Sequence, residues 1–183
     1  MDRSGSLKRE DIGIFTDLYE LKMAESFLRG KMFDSATFSL FIRPSNTKRS
    51  YYVSAGLEEL LNYIEGFCFS DSVIAYLEST NIFGGEFLEY ISDFSFTGSI
   101  RAIPEGRVFF ENEPLLEVTG PIMESQLVET LVVNQLNINT LISTKAARCF
   151  WAANGRRLVD FSVRRTHGID AGMIASRSSY IAG

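Results

Sequence analysis

Val159-Asp160-Phe161-Ser162-Val163-Arg164-Arg165-Thr166-His167-Gly168-Ile169-Asp170-Ala171 is the stretch on which the reading of this chain turns. An apolar run from Leu158 to Val163 gives way at once to two guanidinium groups, a hydroxyl, an imidazole, a glycine and a carboxylate. The pattern predicts a strand over 157–163, apolar on both faces as a strand covered on both sides is, followed by a helix from Gly168 to Ile181. In α/β folds with parallel strands, ligands sit where the strands end and the next helices begin. Arg164 and Arg165 fall there. A pair of exposed arginines is often only solvated, but at a strand end their planar forks suit phosphate or carboxylate.

Upstream, the chain reads as alternating helices and strands. Residues 1–12 look like a loose polar tail. Thr16 or Asp17 can cap a helix that runs to about Leu28 and stops at Gly30. Ala36, Phe38, Leu40 and Ile42 alternate with Thr37 and Ser39, the period of a half-buried strand. Helical patterns follow over 55–65, 71–78 and 86–92. Short strands are predicted over 100–103, 108–110 and 115–118, with turn residues between them. Gly120-Pro121 opens a helical stretch to about Ala153, expected to break near Asn137-Ile138-Asn139 and to end at Asn154-Gly155.

Composition limits the possible chemistry. With 45% hydrophobic residues and fifteen Phe among 183 residues, the chain can fill a sizeable core. A net charge of −5 argues against a general nucleic-acid footprint. No apolar run is long enough to span a membrane, and the polar N-terminus lacks the core of a signal peptide. Cys68 and Cys149 have neither metal nor redox spacing, as expected of two reduced thiols in a cytoplasmic protein. His167 is the only histidine. It reads either as a satisfied surface or loop histidine or as part of a Ser-His-Asp set, for which no nucleophile elbow is present. Lys145 and Arg148 share a helix face, either as a basic surface stripe or as a basic rim above an anionic site. Tyr19 reads as an amphipathic-helix residue with its hydroxyl at the surface. Glu105, Glu111 and Glu113 read as solvated turn carboxylates. No P-loop and no Gly-x-Gly-x-x-Gly run occurs.

These residues bring the chain close to a known family. Thr16-Asp17-Leu18-Tyr19-Glu20-Leu21, AGLEELLNYI from Ala55, IPEGRVFFENEPLLEVTG from Ile103, ISTKAAR from Ile142, and Arg164 to Ala171 with RSSYIAG from Arg177 resemble, in order, the N-terminal portion of nicotinate phosphoribosyltransferases, type II phosphoribosyltransferases. The resemblance covers nearly everything after residue 12. It implies an α/β chain with an α+β sandwich-like domain over 13–120 and a helical connector over 121–155. Over 156–183 it implies the first βα unit of an incomplete β/α barrel, since a whole barrel needs roughly 200 residues or more.

The resemblance also implies a reaction. Nicotinate and phosphoribosyl pyrophosphate would give nicotinate mononucleotide on the route to NAD, with ATP as co-substrate, Mg2+ as its ion and no tightly bound cofactor. It implies a homodimer with shared sites, in which Tyr19 faces the pyridine ring from the partner. Phe161, Arg164 and Arg165 would line the nicotinate and phosphate pocket, with His167, Asp170 and Lys145 supporting them. The family's phosphorylated histidine lies in a Gly-Thr-x-x-His type segment that does not occur here, so no catalytic residue is assigned within these residues and the histidine is expected beyond Gly183. Ser162 departs from the glycine common at its position. The chain is therefore expected to be an N-terminal fragment, inactive alone and prone to oligomerise. Two rival readings are a non-catalytic dimerising fragment and a related transferase acting on nicotinamide or quinolinate.

Overall fold

The computed structural model describes residues 7–44 and 49–183. Most of the predicted elements form. Helix α1 spans Leu18–Arg29 and ends at Gly30, with Asp17 at its N-cap position. Strand β1 is Ser35–Phe41, with Ala36, Phe38 and Leu40 half-buried and their neighbours exposed. Strand β2 is Tyr52–Val53. Helices α2 (Leu57–Glu65), α3 (Asp71–Ser79) and α4 (Gly85–Ser92) follow. Then come β3 (Ser99–Ala102), β4 (Val108–Phe109) and β5 (Pro114–Pro121). Helices α5 (Ile122–Leu127), α6 (Glu129–Ala153) and α7 (Ile169–Ile181) complete the chain. The strands form open sheets, one in the order β1-β5-β3 and one pairing β2 with β4 antiparallel.

The chain divides into two compact units. The first comprises residues 1–38, 59–100 and 118–132. Its core gathers Leu21 and Ala24 of α1 with Leu60, Phe87, Ile91, Met123 and Leu127. Phe67, Phe69 and Phe94 meet edge to face with ring centres 5.3–5.8 Å apart, the arrangement that aromatic quadrupoles favour. In this unit Arg9–Ile14, which begins inside the polar tail expected over 1–12, forms a 3-10 helix with Ile12 and Gly13 buried. The Gly13 amide bonds the Cys68 carbonyl at 2.9 Å, and any β-carbon at Gly13 would strike that oxygen. The first six residues of that tail lie outside the described residues.

The second unit comprises residues 39–58, 101–117 and 133–183. Here α6 clamps β2: Thr144 Oγ1 accepts from the Val53 amide at 3.0 Å, and Ser143 Oγ donates to the Val53 carbonyl at 2.6 Å. The same helix shows one departure from expectation. The helical stretch breaks at Val128, between α5 and α6, and runs unbroken through Asn137-Ile138-Asn139. Polar side chains break a helix when they compete for its backbone in water. Asn139 is fully buried, and its amide donates to the Gln135 carbonyl one turn back, within the helix.

The strand expected over 157–163 is absent. Residues 157–162 are irregular, and Val163–Arg165 form one 3-10 turn. A strand exists only through partners for its backbone groups, and none of the described strands pairs with this segment. Asp160 instead folds the chain locally, its carboxylate accepting from the Ser162 amide at 2.7 Å and the Ser162 hydroxyl at 2.9 Å. Leu158, Val159, Phe161 and Val163 are all exposed. Helix α7 shows the same inversion. Ile169, Met173 and Tyr180 face solvent, while the small residues Gly172, Ala175 and Ser178 are buried, Ser178 donating to Asn139 Oδ1 at 2.7 Å.

Candidate functional site

Phe161, Arg164, Arg165, His167 and Asp170 follow one another on a single exposed run of the second unit. Its shape comes from the chain itself. After the Asp160-Ser162 turn, the Thr166 hydroxyl donates to the Val163 carbonyl at 2.8 Å and holds the 3-10 turn closed. Gly168 then takes φ +103°, a conformation that favours glycine, and delivers the chain into α7. Both arginines, the histidine and Asp170 precede or open that helix, and all are exposed. Among the described residues neither arginine forms an ion pair. Phe161 leaves 72% of its surface in solvent. The run is thus an unpaired cationic edge with an aromatic face beside it, at the start of a helix whose first amides lack internal partners.

Charge is concentrated here. Between Lys145 and Arg177 lie seven basic side chains against two acidic ones, in a chain whose net charge is −5. Lys145 and Arg148 are exposed on α6 in the same unit. Arg156 donates to the Ala153 carbonyl at 3.0 Å, and Arg177 is committed to carboxylates. It binds Glu105 through both terminal nitrogens, at 2.9 and 2.8 Å, and reaches Glu58 as well. His167 is an exposed loop histidine.

Glu105 corrects the expectation of a solvated turn carboxylate. Besides Arg177, it accepts from the amides of Gly56 and Leu57 at the start of α2, supplying the anion that a helix N-terminus favours. Burial alone would raise its proton affinity. The Arg177 bond and the two amides outweigh that and hold the carboxyl below its usual range. A depressed carboxyl contributes stability that is fully present above the unfolded value of about 4.3 and is lost as pH falls through the folded value. Glu105→Gln should therefore unfold at lower temperature than the parent at pH 7, and the gap should close towards pH 3. Melting curves across that range check it. A gap that widens in acid would contradict the assignment.

Tyr19 belongs to the first unit, in the first turn of α1, and is half exposed. Its hydroxyl donates to Glu129 Oε1 at 3.1 Å. Beside it Glu20 is wholly buried, accepting from the Thr16 hydroxyl and from Thr130 Oγ1 at 2.7 Å. Burial raises the Glu20 carboxyl more than these bonds lower it. The Tyr19 phenol is also raised, by burial first and then by its bond to Glu129 and the charge of Glu20. Sequence reading passed over Glu20 and Glu129, since carboxylates in amphipathic helices carry no mark of burial. Thr16, offered as a helix cap, bonds Glu20 instead, and Asp17 makes no side-chain cap bond. Among the described residues no cluster of three or more His, Cys, Asp or Glu side chains could hold a metal ion, and no helix is long and apolar enough to cross a membrane.

Comparison with known proteins gives a consistent result. The family model of the nicotinate phosphoribosyltransferase N-terminal domain matches residues 14–137. A nicotinate phosphoribosyltransferase of Mycobacterium tuberculosis is 43% identical over 96% of the chain and 38% of its own length. One from Bacillus subtilis is 41% identical over 96% of the chain and 36% of its own length. The crystal structure of human nicotinic acid phosphoribosyltransferase superposes with a TM-score of 0.83 at 33% identity, covering 92% of the chain and 35% of the human one. The fold is shared more widely: a nicotinate-nucleotide pyrophosphorylase of Pyrococcus furiosus gives a TM-score of 0.77 at 22% identity. The chain thus spans somewhat over a third of the length of these relatives.

Proposed function

We propose, from the premise that this chain belongs to the nicotinate phosphoribosyltransferase family, that it supplies the N-terminal part of an enzyme making nicotinate mononucleotide for NAD synthesis. The observation that carries this reading is the family match over residues 14–137, to which the unpaired cations at Arg164 and Arg165 add the right chemistry. In the reaction the pyridine nitrogen attacks the anomeric carbon of phosphoribosyl pyrophosphate. A C–N bond forms, the C–O bond to pyrophosphate breaks, and positive charge develops on the ribose as a polyanion leaves. Cations fixed where that negative charge collects stabilise the transition state.

Arg164 and Arg165 serve that purpose here by gripping phosphate or the nicotinate carboxylate, and Phe161 offers its face to the flat ring. Tyr19 would meet the ring from the other subunit of a homodimer. His167, Asp170 and Lys145 would support the ligand-touching set. Magnesium would enter with the polyphosphate. ATP would couple through a phosphorylated histidine in a Gly-Thr-x-x-His type segment, which these 183 residues do not contain. The enzyme would act in the cytoplasm.

The test supplies labelled nicotinate, phosphoribosyl pyrophosphate, magnesium and ATP. They go to the chain alone and to the chain combined with the C-terminal remainder of the Bacillus subtilis relative. Product is expected from the combination only, and not when nicotinamide or quinolinate replaces nicotinate. Turnover by the chain alone would contradict the placement of the histidine. A stable but inactive combination would favour a non-catalytic role for the chain.

A further inference from the structure

Packing alone does not fix the Tyr19 ring, because half of that side chain lies in solvent. Its hydroxyl, however, meets a carboxylate that is itself held. Glu129 Oε1 accepts from Tyr19 at 3.1 Å, while Glu129 Oε2 accepts from Gln126 Nε2 at 2.7 Å. Gln126 is buried in α5, and Glu129 is the first residue of α6. The next residue grips the same turn of α1: the Asp17 amide donates to Thr130 Oγ1 at 3.2 Å, and Thr130 Oγ1 lies 2.7 Å from the buried Glu20 carboxylate. Residues 129 and 130 together therefore engage α1 at positions 17, 19 and 20. The backbone under Tyr19 is fixed from one side and its hydroxyl from the other.

We propose that Glu129 is a positioning residue for Tyr19. Backed by Gln126, it holds the phenol in one rotamer, so that the ring face is presented to substrate already ordered. This rests on the reading that Tyr19 faces the nicotinate ring. A side chain ordered before binding loses less rotamer freedom when the ligand arrives. Preorganising one ring is worth roughly a 2- to 12-fold gain in affinity.

The 183-residue chain, with its tyrosine and phenylalanine side chains labelled, tests this by NMR couplings that report the χ1 rotamer of residue 19, together with nicotinate titrations. In the parent the ring should occupy one rotamer. In Glu129→Ala it should average among several, and nicotinate binding should weaken by the stated factor. Glu129→Gln keeps an acceptor at the same reach, so it should restore both order and affinity, a rescue that a purely structural role would not give. Tyr19→Phe leaves every other group in place and should average as freely as Glu129→Ala, which covers the case in which the alanine variant fails to fold. A ring that stays in one rotamer in Tyr19→Phe or Glu129→Ala overturns the proposal, as does a glutamine variant as mobile as the alanine one. Unchanged nicotinate affinity in Tyr19→Ala overturns the substrate-facing reading of Tyr19 instead; the rotamer measurement still judges Glu129 by itself.

Discussion

Replacing Arg164 by Ala is expected to lower kcat/KM for nicotinate by about ten- to 150-fold in the combined enzyme. The loss is that of one charge-assisted hydrogen bond to a substrate anion, about 1.5–3 kcal/mol once substrate has displaced water from the guanidinium. Nothing in the protein offsets it, because Arg164 forms no ion pair among the described residues. Stability should barely change for the same reason. Arg164→Lys should recover part of the loss, since it keeps the charge and loses the planar fork. Initial-rate kinetics at saturating phosphoribosyl pyrophosphate measure the effect, and an Ala variant with parental kcat/KM removes Arg164 from the site.

The second large effect falls on the fold. Gly56 sits at φ +96°, and a β-carbon there would come within 2.8 Å of the Asn139 side chain. Asn139 cannot give way easily. It is fully buried, donates to the Gln135 carbonyl and accepts from Ser178. The Gly56 amide is also one of the donors that hold Glu105. Gly56→Ala should combine backbone strain with overpacking, on the order of 2–4 kcal/mol together. For a chain of this size that lowers Tm by roughly 5–15 °C. Gly155 provides the contrast. It too has positive φ, +79°, but nothing lies within 4 Å of its missing β-carbon. Gly155→Ala should show only the strain, about 1 kcal/mol. Equal Tm losses in the two variants would mean that the contact with Asn139 contributes nothing.

What the sequence discloses depends on whether the relevant contact is local. The alternation through Ala36, Phe38 and Leu40 encodes a half-buried strand in its own period, and β1 forms there. Gly30 ends α1 for a reason confined to one turn. The cationic edge at 161–170 is legible because residue types change abruptly within a few positions. Non-local arrangements are not legible in this way. Glu105 and Arg177 are 72 residues apart, and no periodicity links them. The run at 157–163 has the composition of a covered strand, yet a strand requires neighbours, and composition does not say whether they are present. Asn139 looks like a helix breaker because breaking is a property of solvated amides, and its burial against Ser178 and Gly56 reverses that. Tyr19 was picked out only by resemblance. Its anchoring by Glu129 spans 110 positions and becomes visible only in the fold.

The proposed role of residues 161–170 is an anion- and ring-binding edge for pyridine nucleotide. Titrating the isotope-labelled chain with nicotinate mononucleotide, and following every backbone amide by NMR, tests it most directly. Saturable shifts are expected, concentrated on Phe161, Arg164, Arg165 and the first turn of α7, and lost in the Arg164→Ala, Arg165→Ala double variant. Shifts centred instead on the shallow apolar depression lined by Tyr51, Val108, Phe110 and Trp151, or shifts that persist undiminished in the double variant, would contradict it.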